Sequence, residues 1–144
     1  MKNVNQIEIA SWFEKLQQSG YRLTGSRRAL IETIAKCDHT FTVPQLLAMA
    51  QRLDPALGMA TVYRAVETLA SLGLVHRVHD QQGCHSYVAV DRQPVPMLVC
   101  QTCGRSAPID DSPLRLVLAQ IAQQHSIAIE SYWLQLNGQC AECR

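Results

Sequence analysis

Four cysteines carry the clearest chemistry in the chain. Cys100 and Cys103 form C-Q-T-C, and Cys140 and Cys143 form C-A-E-C. Each pair places two thiols on one tight turn, and two such turns can close a tetrahedral sulfur shell around zinc. Gly104 directly follows the first pair and Gly138 precedes the second, where such turns need backbone freedom. About 36 residues separate the pairs, enough for one helix and one or two strands. Zinc held this way would staple the end of the domain back onto its start. A closed four-sulfur shell leaves no position for substrate, so the expected ion is structural, one Zn(2+) per chain. The competing interpretations are a redox pair and disulfides. A redox pair usually opens a helix after a strand, and two of them in so short a segment would be odd.

Composition bounds the rest. With 144 residues and 47 % apolar content, the chain suits one ordinary domain or two small ones. Small domains are marginal alone, and metal or dimerisation is the usual remedy. Net charge is only +1. Residues 1–90 carry nine Lys/Arg against seven Asp/Glu, and residues 91–144 carry four against five, a slight bias of the first half toward a polyanion. No apolar run approaches a membrane span, and the first residues lack a signal-peptide core. The six cysteines then read as cytosolic thiols and metal ligands rather than disulfides. Neither an open zinc site nor an H-E-x-x-H motif supports enzymatic chemistry, and nothing points to an organic cofactor.

The elements that must position these groups follow from periodicity. Residues 5–18 predict a helix with Ile7, Ala10, Phe13 and Leu16 near one face and Trp12 beside it, stopped at Gly20. Thr24 or Ser26 can cap a second helix over 26–37, buried through Leu30 and Ile34. Arg27 and Arg28 lie in its first turn, an unfavourable place for cations unless a phosphate is near. Thr42 caps a third helix over 43–53, with Pro44 in its first turn and Leu46, Leu47, Ala50 and Leu53 inward. A fourth, over 59–72, carries Val62, Val66 and Leu69 on its apolar stripe and Thr61, Arg64, Thr68 and Ser71 opposite. A helix-loop-helix whose second helix bears hydroxyls and arginine is the pattern of a recognition helix in a major groove. Residues 74–78 and 84–90 predict a hairpin about D-Q-Q-G, the wing of a winged helix.

The fold expected is α/β with two domains: a winged helix over 1–90, a hinge over 91–96, and a small α/β dimerisation domain over 97–144. In that second domain residues 97–99 form a strand and 104–112 a loop. A helix runs from Pro113 to about Gln124, buried through Leu114, Val117, Leu118 and Ile121, and residues 126–136 are β-rich. Exposed strands would need partners, so a homodimer is expected.

These residues resemble the Fur-type metalloregulators of bacteria. The resemblance rests on R-L-T-G-S-R at 22–27, A-T-V-Y-R at 60–64, L-x-x-L-G-L-V at 69–75, Tyr87, V-C-x-x-C-G at 99–104 and G-x-C-x-x-C at 138–143. It implies a cytoplasmic, homodimeric, metal-dependent transcription regulator, usually a repressor, that binds palindromic double-stranded operator DNA. Tyr63 matches the family's recognition-helix tyrosine, Arg64 its arginine neighbour, and Arg27 the arginine opening the second helix. Arg22, Arg27 and Arg28 would meet phosphate, and Tyr63 and Arg64, with Thr61 on the same helix, would meet bases. The chain departs from the pattern at P-V-P-M, residues 94–97, which lacks the usual histidines, and at Tyr132, which stands where a second family histidine falls.

The remaining donors lie elsewhere. His76 and His79 flank the first wing strand, and Cys84 and His85 begin its return. His76 matches a sensing histidine of the zinc-uptake branch. Cys84 or His85 can match the sulfur ligand of that site, and Asp110 or Asp111 its acidic ligand. Mixed sulfur, imidazole and carboxylate ligation suits zinc, so a second, regulatory Zn(2+) is expected. The alternatives are a redox- or other-metal-responsive regulator of the same fold, and a zinc-stapled adaptor that does not bind DNA.

Overall fold

The computed structural model describes residues 8–79, 85–90, 96–130 and 132–144. Four helices build the first half: α1 (Ile9–Gln18), α2 (Gly25–Ala35), α3 (Val43–Ala50) and α4 (Met59–Ser71). Two of their starts are set by side-chain caps. Thr24 Oγ1 accepts the Arg27 backbone N–H at 3.2 Å and caps α2. Thr42 and Gln45 close a reciprocal capping box on α3, at 3.3 and 2.9 Å, satisfying two orphan backbone donors at once. The expected start of α1 at residue 5 lies outside the described residues. Ala10 is exposed rather than inward, and Trp12 and Leu16 carry that helix's burial. Leu53 is also exposed, because α3 ends three residues earlier than its periodicity suggested.

One core joins Trp12, Leu16, Leu30, Ile31, Ile34, Leu46, Val62, Val66 and Leu69 to the base of a hairpin. That hairpin is β1 (Val75–His79) and β2 (His85–Ala89), antiparallel, with Val75 opposite Ala89, Arg77 opposite Tyr87 and His79 opposite His85. Phe41, between α2 and α3, adds a bridge to Tyr87. Three helices, a fourth in front and a wing make this a winged helix.

The second half is a three-stranded sheet in the order β4-β3-β5, with β3 at Met97–Cys100, β4 at Ser106–Pro108 and β5 at Gln135–Gly138. β4 is antiparallel to β3 and β5 parallel to it, with α5 (Ser112–His125) in the crossover. Residues 104–112 are therefore not all loop, because Ser106–Pro108 pairs with Met97–Val99. Among the described residues, the β-rich stretch expected over 126–136 yields a strand only from Gln135.

The burial expected of α5 also differs. No residue of the helix is buried. Leu114, Leu118 and Ala122 are half-buried at i, i+4 and i+8, while Val117 and Ile121 form an exposed stripe beside Leu116. The boundary placed at 91–96 lies mostly outside the described residues. A second apolar cluster, Val78, Val88, Val90, Met97 and Val99 with Trp133, joins the wing to the second sheet.

Candidate metal centre and nucleic-acid interface

Cys100 ends β3, and its in-register neighbour on the parallel strand is Gly138 at the end of β5. Both cysteine turns therefore leave the same end of the sheet. The Gln101 N–H donates to Gly138 O at 2.9 Å, Gly104 N–H closes the first turn on Cys100 O, and Cys143 N–H closes the second on Cys140 O, each at 2.9 Å. The four sulfurs lie within 4.8 Å of one another. The Cys103 and Cys140 sulfurs are 3.9 Å apart. Tetrahedral zinc with bonds near 2.3 Å sets sulfur–sulfur edges at about 3.8 Å, so the donor set fits the ion. The electrostatics agree. Backbone N–H groups of Cys103 and Cys140 bring the Cys100 thiol down to about 6, which favours its thiolate. Cys143 is pushed up to about 12, first by its contact with Cys140 and then by burial. Thiols this close resist ionising together, and a dication removes that resistance. Among the described residues, no other His, Cys, Asp and Glu side chains gather three donors.

The wing has two faces, and they divide the regulatory candidates. Strand alternation puts Arg77, His79, His85 and Tyr87 on one face and His76, Val78 and Val88 on the other. The second face meets the C-terminal domain. There the His76 ring stacks on Trp133, 4.2 Å between centroids at 11°. His76 Nε2 is buried with no hydrogen-bond partner among the described residues. Burial pushes this imidazole below its ordinary value, toward the neutral form a metal requires. His79 and His85, opposite one another, share the other face, so the structure does not bring them to His76. Asp110 accepts from Ser112 Oγ and N–H at 2.7 and 3.0 Å. Asp111 Oδ2 accepts from Tyr132 at 2.9 Å and Arg115 at 3.2 Å. These partners hold both carboxyls below their ordinary values. Cys84 lies outside the described residues.

On α4, Thr61, Tyr63 and Arg64 are exposed, with Tyr63 at 51 %. Tyr63 shares a cleft of about 340 Å³ with Thr42, Pro44, Met59, Arg77 and His85. Arg22 and Arg28 are exposed, and Arg28 lies 5.0 Å over the Phe13 ring. Arg27 is turned inward: it donates to Arg22 O at 2.5 Å and lies 5.5 Å over Tyr21.

Sequence reasoning passed over Arg77, which donates to Glu67 Oε1 of α4 at 2.6 Å. The Tyr87 hydroxyl donates to the same oxygen at 3.2 Å. The two-residue period from the buried Val75 would have found Arg77, since it puts Arg77 and His79 on one face. No comparable signal marks Trp133 as the partner of His76.

A winged helix joined to a small sheet with a four-cysteine knuckle defines a class of metal-dependent DNA-binding regulators. The ferric uptake regulator family profile matches residues 18–137, and the chain belongs to that family. Membership makes it a metal-dependent transcription regulator and not an enzyme. The zinc uptake regulation protein of Mycobacterium tuberculosis is 27 % identical over 129 residues, covering 90 % of this chain and 99 % of that protein. The ferric uptake regulation protein of Campylobacter jejuni is 25 % identical over 99 % of this chain and 93 % of its own length. Among solved structures, the Helicobacter pylori ferric uptake regulator superposes with a TM-score of 0.76 at 14 % identity, over 99 % of this chain and 97 % of that one. A zinc uptake regulator complexed with zinc and DNA gives 0.72 at 24 %, over 99 % and 96 %.

Proposed function

We propose that this protein is a zinc-responsive repressor that binds palindromic operator DNA as a homodimer. The observation that carries the DNA reading is the exposed face of α4, where Thr61, Tyr63 and Arg64 stand beside a wing whose Arg77 is exposed and paired with Glu67. Tyr63 and Arg64 read base edges in the major groove, the ring against a thymine methyl and the guanidinium against guanine. Arg22 and Arg28, with Arg27 behind them, meet phosphates and fix register. Arg77 and His85 extend the same surface along the wing. The apolar stripe of α5, with Leu98 and Leu136 exposed on neighbouring strands, is the face that a second copy covers. A symmetric dimer sets the spacing of two recognition helices.

Duplex binding tests this. Arg64→Ala is expected to lower discrimination between operator and random duplex by about 1–3 kcal/mol. Arg28→Ala should weaken both duplexes alike and reduce the salt slope by about one. Equal losses on both duplexes for Arg64→Ala would demote it to a phosphate contact. A zinc-loaded dimer that selects no duplex from a genomic library would remove the regulator reading in favour of the adaptor.

The zinc response is assigned to a second site built on His76. Its buried, unpartnered Nε2 and its place between wing and C-terminal domain support that role. Cys84 supplies sulfur and Asp110 or Asp111 a carboxylate, whereas His79 and His85 belong to the DNA side. Asp111 is held by Tyr132 and Arg115, so engaging it means exchanging those bonds. Zinc at these residues thus selects one inter-domain angle among several. His76→Ala should keep the four-cysteine zinc and the fold while losing the zinc dependence of operator affinity. A variant that takes up two zincs per chain with unchanged dependence would exclude His76 as a ligand.

A further inference from the structure

The connector between α2 and α3 touches both halves of the molecule. Thr40 N–H donates to Gly104 O at 2.8 Å, and His39 forms an antiparallel bridge with Arg105. Gly104 is the residue after Cys103 and has φ +71°. A Cβ there would stand 2.7 Å from Thr40 Oγ1, so both backbone conformation and close approach require glycine. One residue further on, Phe41 and Tyr87 exchange two backbone bonds, at 2.9 and 2.7 Å, and their rings stack at 6.2 Å. Tyr87 in turn reaches Glu67 on α4. Thr42 then caps α3.

On the other side, residues 104 and 105 belong to the metal knuckle. Gly104 N–H donates to Cys100 O, and Arg105 O accepts Cys100 N–H, both at 2.9 Å. Arg105 also pairs with Glu142, between the last two cysteines, at 2.9 Å. Three consecutive residues, His39 to Phe41, therefore run from the cysteine knuckle to the wing strand bonded to the recognition helix.

We propose that the first cysteine turn is also a dock for the winged helix, with Thr40 and Gly104 as its positioning residues. A single backbone bond between two units holds only if both ends are fixed. On the winged-helix side, the end is fixed by the Phe41–Tyr87 pair and the α3 cap. At the knuckle it is fixed by the turn that metal-bound thiolates would hold, so the ion called structural also contributes to aiming α4. The positioning role in DNA binding rests on the regulator reading above; the dock itself does not.

Hydrogen exchange separates the two adjacent amides. In the full-length zinc-loaded protein both Thr40 and Phe41 N–H should be protected. Stripping the four-cysteine metal under reducing conditions should speed Thr40 exchange at least about tenfold while changing Phe41 much less, because Phe41 bonds within the winged helix. Thr40 keeping its protection, or Phe41 being released as fast, overturns the dock.

A second measurement uses Gly104→Ala with Thr40 intact and with Thr40→Ala, each at one zinc per chain. The strain at φ +71° is common to both backgrounds, so their difference isolates the contact. Gly104→Ala should weaken operator binding at least about threefold more when Thr40 is present. Equal losses overturn the positioning role. Wild type without operator affinity would instead remove the regulator reading, and the exchange experiment then decides the dock alone.

Discussion

Cys103→Ala is expected to abolish tight zinc binding and unfold the C-terminal half while leaving the winged helix intact. The size of the effect follows from what else holds that half together. Among the described residues its buried side chains are few, Pro96, Met97, Val99 and Cys100, and Met97 and Val99, with the half-buried Trp133, rest on Val78, Val88 and Val90 of the wing side. No residue of α5 is buried. A core this small cannot offset the entropy of ordering its own chain. A structural zinc contributes about 10–16 kcal/mol of apparent binding free energy in small zinc domains, and a three-sulfur shell forfeits much of that. The winged helix has its own core from Trp12 to Leu69. Metal analysis should find the tightly held ion lost, and a thermal melt should split into an early loss and a retained helical transition. A folded variant with one tight zinc per chain would show that the four sulfurs are not the ligand set.

This division of stability explains what was legible in the sequence. The helices of the first half were readable because each buries a stripe against the same core, and two of the starts carry a side-chain cap, at Thr24 and Thr42. The knuckle was readable because the metal demand is written into fixed spacings, Cys100 with Cys103 and Cys140 with Cys143. Misjudgements fell where partner and register decide. Val117 and Ile121 have core-like periodicity, yet both stay exposed in the single chain while Leu114 and Leu118 are half-buried. Periodicity reports that a face is apolar, not what covers it. His79 and His85 looked like companions of His76 because all three sit on one hairpin. Strand alternation, with its period of two, sets them on the opposite face from His76. The connector at Thr40 carried no pattern at all, since its role depends on Gly104, far along the chain.

The same unpartnered face yields the other large effect. If two copies meet on this face as proposed, Ile121→Glu should leave monomers that keep their fold and their four-cysteine zinc. Ile121 is exposed in the single chain, so a carboxylate there meets water and costs the monomer little. Between two copies it would be buried without a partner, beside Val117 and its counterpart, and a buried unpaired charge is among the most destabilising changes an interface can receive. The consequence for DNA is larger than the loss of any single contact. In a dimer the second winged helix binds its half-site at high effective concentration, and bivalency of this kind raises affinity by about 10²–10⁴ over one module. Monomers should therefore bind the palindrome weaker by about that factor and show no preference for the correct half-site spacing. Sedimentation of the zinc-loaded variant reads the first effect, and operator titration with duplexes of altered spacing reads the second. A variant that sediments as a dimer and keeps its spacing preference would place the interface elsewhere than on α5.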